Sequence, residues 1–139
     1  MAPSRSSRFI AFAIAVLCAS KAFAGVQEYF CTVTQDFEIG EGGSVAAPKL
    51  GSLIGRTIAV SRSTGQIIVP YSAFFMSARM QFKVLAAGNA QNSFVTMGTE
   101  PAGGDGVFTL LLSVEEFAKP QKKPFLLSAG VRALAGTCE

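Results

Sequence analysis

Nine carboxylates and twelve basic side chains are the titratable chemistry of this chain, which has no histidine. The densest acidic group is "DFEIGEGG", where Asp36, Glu38 and Glu41 fall within one short stretch beside a glycine-rich segment. Carboxylates so grouped could hold calcium, but the spacing matches no EF-hand loop. Asp105 and the adjacent Glu115 and Glu116 complete the set that could supply a pair for glycoside hydrolysis, which needs two carboxyl groups facing one bond. Alternation puts Asp36 and Glu38 on the polar face of a strand and Glu115 with Glu116 at a strand end. Charges there are normally solvated, and neither catalysis nor metal binding is expected of them.

The missing histidine removes the usual general base, the usual zinc ligand and any Ser-His or Cys-His arrangement. A Ser-Lys alternative would show as Ser-x-x-Lys, which does not occur. "AGGDGV" has the glycines of a phosphate cradle but neither the following Lys-Ser/Thr nor a helix, and a turn explains it better. No cofactor is expected.

"KPQKKP" concentrates positive charge, with Lys119 just before Pro120 and Lys122 and Lys123 between Pro120 and Pro124. It reads first as a solvated, proline-stiffened loop. As a contact loop it would suit an anionic envelope glycan or an acidic envelope protein, because loops on a rigid β scaffold are where binding residues tend to sit.

The opening "MAPSRSSRFIAFAIAVLCASKAFA" carries Arg5 and Arg8, an apolar run from Phe9 to Ala19, and a small-x-small pair at Ala22 and Ala24. That is the pattern of a secretory signal peptide, residues 1–24, with cleavage expected before Gly25. The apolar run is too short to span a membrane, and Lys21 stops its extension. No transmembrane segment is expected in the remainder, 25–139, which has the length of one domain. Arg5, Arg8 and Lys21 belong to the leader, so nine basic and nine acidic residues remain. A neutral domain has no electrostatic case for nucleic acid.

Cys18 leaves with the leader, and Cys31 and Cys138 remain, one near each end of the domain. An exported chain oxidises such a pair. Closing so long a loop removes about 4 to 5 kcal/mol of denatured-state entropy in the chain-entropy model. A redox or metal role lacks its signature, since there is no Cys-x-x-Cys.

The elements that must position these groups are strands. "EYFCTVTQDFEI" alternates, with Tyr29, Cys31, Val33, Phe37 and Ile39 on one face and Glu28, Thr32, Thr34, Asp36 and Glu38 on the other. Residues 40–55, rich in glycine, read as a long surface loop. "RTIAVSRSTGQIIVP" is a β-hairpin turning at "STG", whereas 71–80 fits either a short helix or an irregular crossing. "QFKVLAAG", "NSFVTMG" and "GVFTLLLSVEEF" follow as strands, the Phe108, Leu110, Leu112, Val114 series being the central one. "PFLLSAGVRALAGTCE" gives a final pair. The fold expected is all-β and mainly antiparallel, a small sandwich or barrel of about seven or eight short strands with at most one short helix, closed by the disulfide.

Tyr29 with Cys31, "SRSTG", "KKPF" at Lys122 to Phe125 and "GTC" at Gly136 to Cys138 together resemble a group of small secreted bacterial proteins of unassigned function. The resemblance implies an exported β domain and brings no catalytic residues. The sequence therefore leads to a periplasmic or secreted, non-catalytic binding or interaction module of the cell envelope. The rivals are an inhibitor of a secreted hydrolase, lysozyme or protease, inserting loop 40–55 or 119–124 into a cleft, and a carboxylate-dependent hydrolase.

Overall fold

A computed structural model describes residues 27–69, 78–102, 106–118 and 121–139. The expected leader lies outside the described residues, as do Asp105, Lys119, Pro120 and all of the ambiguous stretch 71–80 except 78–80, where Met80 packs into the core.

The described chain is all-β. Its strands are β1 (Glu28–Ile39), β2 (Val45–Ala46), β3 (Thr57–Ser61), β4 (Ile67–Ile68), β5 (Gln81–Asn89), β6 (Asn92–Pro101), β7 (Val107–Val114), β8 (Lys123–Ala129) and β9 (Arg132–Cys138), with one 3-10 turn at Glu41–Gly43. All pairings are antiparallel, in the order β4-β3-β1-β9-β8-β7-β6-β5, with β2 on β1. This nine-stranded sheet curls into a nearly closed barrel, which decides between barrel and sandwich. The count exceeds the expected seven or eight by β2, a two-residue strand inside the expected loop 40–55 and too short for alternation to reveal, whereas β4 is the return arm of the expected hairpin. β7 is interior as expected, although the middle of the sheet falls between β9 and β8.

The ends of the sheet meet through side chains. Thr96 Oγ1 lies 2.9 Å from the Gly65 carbonyl oxygen and 3.2 Å from that of Lys83. Gly65 has φ +75°, and a Cβ there would collide with the Thr96 hydroxyl. Glycine thus supplies both the backbone conformation and the close approach that seal the seam.

Tyr29, Phe94, Leu110, Leu112, Leu127 and Leu134 are among the side chains that fill the interior, each fully buried. Cys31 and Cys138 face each other in register across β1 and β9, and the bridge joins them in the core. The first strand alternates as expected only to Val33. A bulge between Val33 and Gln35 shifts the register, because one extra residue reverses every later side chain. Asp36 consequently turns inward and is buried, while Ile39 is exposed. This corrects the expectation that Asp36 lies on the solvated face with Phe37 and Ile39 opposite.

Candidate functional site

Two charged pairs occupy different ends of the barrel, and β1 contributes to both. Toward its C-terminal end, Asp36 accepts from Arg132 twice, Nε to Oδ1 at 2.9 Å and Nη2 to Oδ2 at 2.7 Å, and from the Leu53 amide at 2.7 Å. Arg132 also donates to the Gly51 oxygen at 2.7 Å and the Leu50 oxygen at 3.3 Å. The Asp36 side chain is wholly shielded from solvent and that of Arg132 nearly so. A planar guanidinium matches a carboxylate edge to edge, and the three bonds Asp36 receives compensate its desolvation. The pair pins the loop after β2 to the barrel. Leu53 is drawn into the core, and Val33 and the loop exchange backbone bonds (Val33 to Arg56 oxygen, Gly55 to Val33 oxygen). Loop 40–55 is thus not a free surface loop throughout: its first half is exposed, while its second half is anchored.

At the other end, Arg62 leaves the turn after β3, lies 5.4 Å from the centre of the Tyr29 ring, and donates Nη2 to the Ala87 oxygen at 2.9 Å and to Glu116 Oε1 at 2.8 Å. The Glu116 side chain is only 8% exposed, which corrects its placement among solvated charges. It packs over Gly88, where a Cβ would strike its carboxyl carbon. Burial raises the Glu116 carboxyl above its usual range, opposed by the positive charge of Lys123. Beneath the guanidinium, the Tyr29 hydroxyl is buried and has no hydrogen-bond partner among the described residues.

The three lysines of the expected contact loop separate. Lys122 is exposed. Lys123 opens β8 and donates its ammonium to the Glu116 backbone oxygen at 3.0 Å, so it braces the barrel end. Lys119 lies outside the described residues. Of the remaining acids, Glu38 accepts from the Lys49 amide at 3.3 Å, and Glu41 and Glu115 are exposed. Among the described residues, no three His, Cys, Asp or Glu side chains gather to hold a metal ion.

Sequence reading passed over Arg62 and Arg132. Arg132 was legible, because it shares parity with Leu134 and Cys138, and an arginine on a core-facing position requires an acid. Arg62 carried no such signal, since it sits in the polar turn sequence "SRSTG".

The outer wall of β6 to β9 differs from both ends. Two rows of register-paired residues cross it: Met97, Leu111, Ser128, Ala133 and Val95, Ser113, Leu126, Ala135. A shallow open depression of about 460 Å³ adjoins them, lined by Val107, Phe108, Thr109, Leu111, Ser128 and Gly130. These walls hold no ionisable side chain and offer contact by shape and apolar area. No protein family, curated protein or solved structure matches the chain.

Proposed function

We propose that this protein is a non-catalytic binding module of the cell envelope, exported to the periplasm or beyond, that recognises its partner with its outer surface. The side chains packed in the interior among the described residues carry this reading. Lipocalin-type barrels bind by leaving a cavity inside, whereas here Tyr29, Phe94, Leu112 and Leu127 occupy the centre. Outer-membrane barrels have polar interiors, whereas the buried side chains among the described residues are mainly apolar, with Asp36, Thr96 and Arg132 the exceptions. Catalysis by Asp36 or Glu116 would sacrifice an ion pair at a barrel end. The disulfide suits an oxidising compartment, and among the described residues no helix is long and apolar enough to cross a membrane.

The test is capture by the oxidised, exported protein from an envelope extract, with inhibition assays on lysozyme and proteases alongside. A specific partner retained by wild type and lost on substituting exposed residues is expected. Turnover of a glycan or peptide substrate that disappears in a Glu115→Gln or Glu116→Gln variant would reverse the assignment.

A further inference from the structure

A second property stands apart from any envelope partner. Alternation sends Val95, Met97, Leu111, Leu126, Ala133 and Ala135 to the outer wall, and the charged residues of β6 to β9 are Glu100, Lys123 and Arg132. Each of the three has the inward parity: Glu100 with Thr96, Lys123 with Phe125, Arg132 with Leu134. No charge therefore projects outward from four neighbouring strands. Free surfaces intersperse charges of both signs, and charge depletion marks the centre of an interface. The sequences "VFTLLLSV" and "PFLLSA" also run almost continuously apolar, as strands do when both faces are covered. The barrel interior covers one face. Leu111 at 40% and Leu126 at 50% exposure lie on the other.

We infer that a second copy of this chain covers this wall, forming a twofold dimer face to face through β6 to β9. A charged partner would bury its charges against four strands with none to answer them, which is costly; the adjoining charge, exposed Lys83 of β5, stands at the edge of the wall in register with Met97. A second copy presents an equally uncharged wall by construction, and twofold pairing is the commonest way for one patch to bind itself. Residues 25–139 carry nine basic and nine acidic groups, so two copies approach without net repulsion.

The test is sedimentation equilibrium of the exported, oxidised protein over a dilution series. The expected result is the mass of two chains at high concentration, falling toward one on dilution. Leu111→Arg sets like charges against each other across the twofold and is expected to weaken association by about a hundredfold or more. Its circular dichroism should remain that of wild type, because the side chain points outward. Phe30→Arg, at an exposed residue of β1, should leave the dimer intact. Equal mixing of Leu111→Arg with Leu111→Glu should restore a two-chain species. If Leu111→Arg does not fold, Ser128→Lys in the same row replaces it. Wild type that sediments as one chain throughout overturns the inference, whatever else the wall binds. So does a dimer that survives charge at Leu111 and Ser128 but dissociates with Phe30→Arg.

Discussion

The two ends of β1 solve one problem, a charged pair inside a small barrel, with different completeness. At the Asp36 end the carboxylate and guanidinium meet edge to edge, and Arg132 spends its other donors on the carbonyls of Gly51 and Leu50. At the Glu116 end Arg62 Nη2 meets Oε1 at 2.8 Å and the Ala87 oxygen at 2.9 Å, Arg62 keeps 22% of its side chain exposed, and the Tyr29 hydroxyl has no partner among the described residues. Burial alone is a poor guide to what a pair contributes, because desolvation offsets attraction unless hydrogen bonds satisfy the remaining sites. The first end is therefore a structural joint, and the second a cover that the fold tolerates.

The sharpest way to break this comparison is Asp36→Asn, which leaves Arg132 charged, buried and without its counter-ion. A loss of about 3 to 5 kcal/mol is expected, read from the denaturant midpoint. Because Asp36 also holds the Leu53 amide, hydrogen exchange at Leu53 and Arg56 should accelerate more than at β7. A cost below about 1 kcal/mol would mean that the loop, not the ion pair, carries the joint.

The disulfide lies between the two ends and should rank next. Replacing both Cys31 and Cys138 with alanine is expected to cost about 2 to 5 kcal/mol while leaving the strand-rich spectrum intact below the new Tm. The bridge constrains the unfolded chain, and the native ladder on both sides of β9 does not depend on it. An unchanged midpoint would remove its role as a staple.

How much of this was open to sequence reading follows the physics of each feature. Strand alternation needs only side-chain character, so Cys31, Val33, Leu112 and Leu134 fell on the correct face. The disulfide follows from the expected compartment and from the cysteine count. The bulge after Val33 leaves one trace, the polar Gln35 at the parity of Val33 and Phe37, but Thr34 fits the alternating pattern and the register change itself is set by pairing with β9. Missing it placed Asp36 in water and hid its partnership with Arg132, a residue 96 positions away. Glu116 was misplaced for a related reason: the residue that receives it, Gly88, and the arginine that meets it come from other hairpins. Barrel closure at Gly65 and Thr96 is likewise a long-range contact that local pattern does not encode.

At the less complete end, removing the lone hydroxyl should help. Tyr29→Phe keeps the ring against Phe94, 5.5 Å away, and keeps the guanidinium above it, while deleting a polar atom buried without a partner. A gain of about 1 kcal/mol is expected, read as a higher denaturant midpoint. A loss would show that the hydroxyl contributes a bond the fold needs.

The smallest effect at neutral pH, and the most specific, concerns Glu116. Its carboxyl titrates above the ordinary range in the fold because burial disfavours the charged form. Folding therefore takes up a proton in the interval between the unfolded and folded values. Stability from this group is present below that interval and is lost as pH rises through the folded value. This is the reverse of a carboxylate held down by its partner, whose contribution fades as pH falls. Glu116→Gln is neutral throughout and keeps an oxygen for the Arg62 donor, so it should cost no more than about 1 kcal/mol at neutral pH. The diagnostic is the difference between the two stability curves. Going from neutral toward acid through the carboxylate range, wild type should gain on the variant. If wild type instead loses ground to Glu116→Gln on acidification, the Arg62 contact outweighs desolvation, and the two ends of the barrel are more alike than their geometry indicates.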